Sequence, residues 1–132
     1  MATIKVVCGI VFDHKKVLIC RRRSTKLLGG YWEFPGGKIE EGETDELSLS
    51  RELAEELGMK VEIIGFFTTN SHDYGKFKIE LIAYKCSFIN ADFKLVDHDE
   101  VRWINIEDLN KWNLAPADIP IANELILEAL PT

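Results

Sequence analysis

The sequence predicts a mixed α/β (α+β) fold, one β-sheet held between helices, for the 132-residue chain. Three observations predict it. Five runs rich in β-branched and apolar residues, 4–12, 17–20, 60–69, 76–88 and 101–105, read as strands. One capped, amphipathic stretch, 45–57, reads as a long helix. A second helical stretch, 119–130, closes the chain. Strands that frame one helix and precede another are expected to form a sheet with helices packed on its faces. No internal repeat, low-complexity tract or linker interrupts the sequence, so a single domain over residues 1–132 is expected.

In chain order, 4–12 is a buried strand, Asp13-His14-Lys15-Lys16 a polar turn, and 17–20 a returning strand, so the two are expected to pair as a hairpin. Arg21-Arg22-Arg23 stands at that strand's end. These side chains are either solvated or reach polyphosphate oxygens, for which the guanidinium fork is well shaped. A loop, 24–30, ends on Gly29-Gly30. Tyr31, Trp32 and Phe34 then come close together. Core packing is the usual fate of such rings; stacking of one on a nucleobase, worth roughly 1–3 kcal/mol, is the alternative. Pro35-Gly36-Gly37 lets the backbone approach a ligand or metal with no Cβ in the way.

The helix over 45–57 has its start and stop written beside it. Thr44 offers an N-cap hydroxyl. Asp45 and Glu46 complement the helix dipole, and Gly58 supplies a left-handed end. At about 100° per residue, Leu47, Ser50, Leu53, Ala54 and Leu57 share one face. Glu52, Glu55 and Glu56, spaced i, i+3 and i+4, share another. Carboxylates so placed repel by a few tenths of a kcal/mol per pair. A hard cation, Mg²⁺ or Mn²⁺, relieves the repulsion. A solvated acidic face is the competing reading, and the helix taken alone favours it.

Beyond the helix, the runs 60–69 and 76–88 are expected to be joined by a polar connection, 70–75, and 90–100 is a longer, acidic connection. A short strand, 101–105, leads to a helical turn, 106–109, and then to the terminal helix, with Pro120 tolerated in its first turn.

Composition bounds the function. Hydrophobic residues are 46% and charged residues 29%, as in a soluble globular chain. A net charge of −6 argues against stable nucleic-acid binding. Cys8, Cys20 and Cys86 are odd in number and lack both Cys-x-x-Cys and zinc-finger spacing. Reduced thiols buried in strands of a cytoplasmic protein are expected. The apolar run 6–12 is short and broken by Gly9, unlike a secretory leader, and no stretch approaches the length of a membrane span.

The fixed positions around the helix carry a family resemblance. Gly37, Glu43 six residues on, Arg51-Glu52-Leu53 eight further on, then Glu55-Glu56, Gly58 and Met59 resemble the Nudix box at each of its fixed positions. Trp32-Glu33-Phe34-Pro35-Gly36-Gly37-Lys38 resembles the MutT branch of that family. Residues 114–120 resemble its CTP pyrophosphohydrolase members. The resemblance implies an α/β/α sandwich around a mixed sheet. It also implies Mg²⁺-dependent hydrolysis of a nucleoside diphosphate linked to a further group X. In the MutT branch the substrate is a nucleoside triphosphate, and the products are a monophosphate and pyrophosphate.

Residue by residue, the resemblance makes Glu52, Glu55 and Glu56 metal ligands, helped by the Gly36 carbonyl. Arg51 and Glu43 become the pair that ties the loop to the helix. Asp97 matches an acid that binds metal or acts as base, with Glu100 and Glu56 as alternatives for the base. Arg22 matches a substrate-contacting arginine and Phe34 a base-pocket phenylalanine. Asp118 stands where MutT has a base-reading asparagine; an ionised aspartate accepts hydrogen bonds and donates none, so it reads the base differently or simply caps the last helix. Lys76 and Lys78 lie where the pocket's second strand is expected.

The leading expectation is a nucleotide-pool-sanitising hydrolase of 8-oxo-dGTP, CTP or 5-methyl-dCTP, monomeric or dimeric. Tyr74 is a cue toward dinucleoside polyphosphates. A non-catalytic Nudix-fold binding module is the other class, opposed by the presence of Glu52, Glu55 and Glu56 together.

Overall fold

The N-terminal apolar run forms the central strand, β1 (Ala2–Asp13), and the sheet is assembled around it. The structure, a computed structural model, describes residues 2–131; Met1 and Thr132, which the expected domain includes, lie outside the described residues. Along the chain follow β2 (Lys16–Arg22), β3 (Trp32–Glu33), β4 (Gly36–Lys38), α1 (Asp45–Leu57), β5 (Met59–Asp73), β6 (Phe77–Ala91), β7 (His98–Asn105), a 3₁₀ turn (Ile106–Lys111) and α2 (Ile119–Ala129). The strand order is β3-β2-β1-β6-β5, with β4 also paired to β1 and β7 to β2.

β1 runs parallel to β6 from Ala2↔Phe77 to Phe12↔Ser87, and β6 is antiparallel to β5, so the sheet is mixed as expected. Its two faces carry separate cores, because side chains alternate along each strand. Val7, Val11 and Leu18 face α1 with Leu49, Leu53, Leu57 and Met59. Cys8, Ile10, Val17 and Ile19 face the other side, with Trp32, Phe34, Leu109, Ile121 and Leu125. Both faces of β1 are thereby covered, which is why its sequence reads as a continuous apolar run rather than an alternation.

The structure revises four of the sequence expectations. The β1–β2 hairpin pairs at its tip, Phe12↔Val17 and Asp13↔Lys16; beyond that β2 pairs with β7, and β4 occupies the edge of β1 from Val6↔Lys38 to Cys8↔Gly36. The two short strands β3 and β4 lie in the aromatic cluster and at the glycine pair Gly36-Gly37, since two or three residues are too few to show a period. The polar 70–75 connection is mostly strand, because β5 and β6 stay paired out to Asp73↔Lys78. The acidic connection shortens likewise, as β7 begins at His98.

The buried face of α1 is also rotated from the expected one. Leu49, Leu53 and Leu57 are buried with Ser48, whereas Leu47 is 63% exposed, and Ser50 and Ala54 are exposed. Leu49-Leu53-Leu57 is an i, i+4, i+8 row that meets the sheet squarely, and both rows fit a 3.6-residue period. The caps are as read: Thr44 accepts from the Leu47 N–H, and Gly58 ends the helix at φ 62°.

Candidate active site

Rotation of α1 has a chemical consequence. Glu52 and Glu56 follow Leu49 and Leu53 by three residues, so they flank the buried row and are half-buried, while Glu55 is more exposed. Across from them runs β4. A Cβ on Gly37 would lie 2.3 Å from the Glu52 carboxyl, and one on Gly36 would lie 1.9 Å from the Val7 carbonyl oxygen. Glycine is required at Gly36, where the clash is with backbone; a Cβ at Gly37 would displace the Glu52 carboxyl.

Arg51 ties this corner together. Its Nε and Nη2 each donate to Glu43 at 2.8 Å, a bidentate pair. Nη1 donates to Glu52 at 2.9 Å and to Glu55 at 3.2 Å, and Nη2 also reaches the Lys38 carbonyl at 3.3 Å. Ser48 donates to Glu43 at 2.7 Å. The Arg51 guanidinium, with Ser48, holds the Glu43 carboxyl down at about 2. The loop 38–43 is thus fastened to the helix at the turn carrying the carboxylates.

The three helix carboxylates do not converge on one point. Glu52 and Glu55 turn toward Arg51, whereas Glu56 turns toward Asp97. Burial first, then the contact with Asp97, raises the Glu56 carboxyl's proton affinity. Burial opposes ionisation of Asp97, but hydrogen bonds from Lys26 and Glu56 outweigh it and leave that carboxyl below its usual range. Lys26 Nζ lies 3.0 Å from Asp97. Two carboxyls in contact need a shared proton or a cation between them. Glu56 Oε2 is buried and receives no donor from the described residues. An acceptor left bare beside a second acid, with Glu52 over a glycine cradle, fits a hard divalent cation. Glu100 is drawn away on β7, 3.2 Å from Arg102.

The other candidate residues meet in a cavity of about 190 Å³ lined by Arg22, Glu33, Phe34, Tyr74, Phe77, Ile79 and Asp118, with Gly36 and Gly37 at its wall. The chain reaches it because Trp32 pairs with the 113–115 segment, its N–H on the Asn113 carbonyl and its carbonyl on the Ala115 N–H. That pairing sets Asp118 beside Phe34, whose N–H donates to Asp118 Oδ2 at 2.9 Å. Asp118 sits at the N-terminus of α2 without capping it through its side chain, so the capping alternative is not what forms. Burial, reinforced by the charge of Glu33, raises its carboxyl well above the usual range.

Arg22 Nε donates to the Leu27 carbonyl at 2.8 Å, and Nη1 lies 3.6 Å from Glu33. Tyr74 accepts from the Ala117 N–H at 3.0 Å, and Asn70 donates to the Ala117 carbonyl at 3.0 Å. Lys76 and Lys78 are exposed and do not line this cavity; Phe77 and Ile79, the alternate residues, face it instead. Alternation along 76–79 was the signal that separates the two pairs.

Cys8, Cys20 and Cys86 are free and buried. Among the described residues no helix is long and apolar enough to cross a membrane.

Comparison with known proteins agrees with this geometry. The NUDIX domain model matches residues 6–124. A CTP pyrophosphohydrolase of Escherichia coli K12 is 31% identical over 121 residues, covering 92% of this chain and 90% of that protein. An 8-oxo-dGTP diphosphatase of Buchnera aphidicola (Schizaphis graminum) is 32% identical over 123 residues, 91% of each. The solution structure of a MutT Nudix hydrolase from methicillin-resistant Staphylococcus aureus 252 superposes with a TM-score of 0.77 at 38% identity, over 98% of this chain and 100% of that one. Carrying the box, the sandwich and these relatives together, the chain belongs to the Nudix hydrolase family, in its MutT-like branch.

Proposed function

We propose that residues 1–132 act as one Mg²⁺-dependent nucleoside triphosphate pyrophosphohydrolase. It hydrolyses an oxidised purine nucleotide such as 8-oxo-dGTP to the monophosphate and pyrophosphate, and so cleans the cytoplasmic nucleotide pool. The observation that carries this reading is the single cavity joining Asp118, Phe34 and Arg22 to Gly36 and Gly37, beside the carboxylates of α1. A base at one end of such a cavity directs its polyphosphate to the other.

Glu52, Glu55, Glu56 and Asp97, with the Gly36 carbonyl, would hold Mg²⁺, with Mn²⁺ as the alternative. When bound, such a cation neutralises polyphosphate charge and makes a water more acidic. Arg51 and Glu43 orient Glu52 and Glu55 for this. Asp97 is held by Lys26, and Glu56, whose proton affinity is raised by burial and by Asp97, has an alternative role: in place of binding the cation, it is the acid here that would take a proton from an attacking water as general base. Arg22, at the cavity wall, has guanidinium donors left over for a phosphate.

Asp118 reads the base as a neutral acid. A protonated carboxyl has one donor and one acceptor, as an asparagine amide does, which removes the difference noted from the sequence. It meets the adjacent O6 acceptor and N7–H donor of 8-oxoguanine. Cytosine offers an adjacent pair too, N3 and the 4-amino group. The relative named CTP pyrophosphohydrolase makes CTP or 5-methyl-dCTP the second reading. Pyrophosphate release from 8-oxo-dGTP, dGTP, CTP, 5-methyl-dCTP and dATP with Mg²⁺ decides. The highest kcat/KM should belong to 8-oxo-dGTP; a panel led by the cytidine nucleotides selects the second reading, and release from none refutes both.

A further inference from the structure

One cluster of metal-ligating side chains lies outside the carboxylates of α1. Cys20 on β2, Glu33 on β3 and His98 on β7 bring a sulfur, an oxygen and a nitrogen within 4.8 Å of one another. The sheet builds it. Cys20 and Glu33 are register partners across β2–β3. A bulge between Arg21 and Arg22 shifts the β2–β7 register so that His98 falls opposite Arg22, and bulges commonly re-aim side chains near functional sites.

We propose that Cys20, Glu33 and His98 form a second cation site, taking a thiolate-preferring divalent ion such as Zn²⁺, whose occupation inhibits the nucleotide site beside it. The ligand set is chemically unlike the all-oxygen set of α1. Thiolate and imidazole select zinc-type ions, and carboxylates alone select Mg²⁺. Tetrahedral zinc holds such ligand atoms roughly 3.4–3.6 Å apart. His98 Nε2 and Glu33 Oε2 are 2.9 Å apart, and the Cys20 thiol makes one weak contact, 3.5 Å to the Glu33 carbonyl. Reaching that spacing requires rotation of these side chains from the positions they hold. His98 is almost fully buried and its Nδ1 has no partner among the described residues, so no bond there locks the Nε2–H tautomer. Binding deprotonates the Cys20 thiol, whose proton goes to solvent, and the His98 proton moves to Nδ1.

Glu33 supplies the way in, since it lines the cavity while Cys20 and His98 do not. It also supplies the coupling. Its carboxylate lies 3.6 Å from Arg22 Nη1. A cation that takes Glu33 removes that partner from Arg22 and adds positive charge behind the cavity wall. Without an acceptor at Nδ1 the site lacks a support worth roughly 10–100-fold in affinity, so the ion binds reversibly rather than as a structural part.

The test titrates Co²⁺ alone into the reduced, metal-free chain. One equivalent should give a thiolate-to-cobalt charge-transfer band with the strong visible bands of four-coordination. The band should survive in Cys8→Ser, Cys86→Ser and Glu55→Gln and vanish in Cys20→Ser. His98→Gln should weaken Co²⁺ binding about tenfold or more, which keeps the test open if Cys20→Ser fails to fold by near-ultraviolet circular dichroism. At saturating Mg²⁺, Zn²⁺ should then suppress pyrophosphate release in the wild type and not in Cys20→Ser. Absence of the band, its persistence in Cys20→Ser, its loss in Glu55→Gln, or unchanged affinity in His98→Gln overturns the site. None of these spectra depends on which nucleotide is the substrate.

Discussion

Asp118→Asn isolates the proton on the proposed base reader. The amide has nearly the shape of the carboxyl, and its oxygen can still accept the 2.9 Å bond from the Phe34 N–H. What changes is the response to pH. Burial and the neighbouring Glu33 charge keep Asp118 protonated in the folded chain above the pH at which a free aspartate ionises. Between the unfolded value, about 3.9, and the raised folded value, the folded chain binds one more proton than the unfolded one. Stability contributed by this group therefore falls as pH rises, by about 1.4 kcal/mol per pH unit, and levels off above the folded value. Asparagine has no such slope. The melting temperature of Asp118→Asn should match or exceed the wild type at pH 4, with the gap widening as pH rises. Activity follows the same proton. Once Asp118 ionises, its donor is lost and a charge faces the base carbonyl, at a cost of about 1–3 kcal/mol, roughly 5- to 150-fold in kcat/KM. Wild-type kcat/KM for 8-oxo-dGTP should fall at high pH, while the Asp118→Asn profile stays flat over that limb. Melting curves and kcat/KM for both proteins from pH 4 to 9 are the assay. A constant melting gap together with parallel activity profiles would refute a protonated Asp118.

Two further substitutions test the rest of the site. Glu55→Gln should lower turnover by roughly 100-fold or more while leaving the fold intact, because Glu55 is exposed and contributes charge rather than packing; a fully active variant would sink the assignment of Glu55 to the metal. Tyr74→Phe leaves the Ala117 N–H without its acceptor, which costs about 1–3 kcal/mol of stability and loosens the segment carrying Asp118. Its signature should be a raised KM and a reduced preference among bases at nearly unchanged kcat; an equal loss of rate on every nucleotide would mean Tyr74 does no more than support the fold.

Legibility in the sequence tracked how local each cause was. Thr44 and Gly58 act at the ends of one helix, so their positions beside it exposed them; the Arg51–Glu43 pair, between that helix and its loop, came from the family resemblance. The buried face of α1 was misplaced because Leu47 and Leu49 compete for the same period, and only the sheet beneath chooses Leu49. β3 and β4 exist through pairing with β2 and β1, and so leave no pattern of their own. Glu33 and His98 went unread for a related reason: 65 residues separate them, and a bulge in another strand brings them together.

Asp118 shows most sharply where residue type stops being informative. An aspartate in a sequence is read as an anion, and an anion cannot replace an amide that both donates and accepts. Three features that no local pattern encodes reverse this. Trp32 holds the 113–115 segment against β3, Asn70 and Tyr74 grip Ala117 from the β5–β6 hairpin, and Glu33 stands across the cavity as a second acid. Each of them keeps the carboxyl out of water or beside negative charge, and both effects favour the proton. If Asp118 reads the base as proposed, base preference depends on its burial as much as on its identity. A substitution that lets water reach it should change specificity even though the residue stays the same.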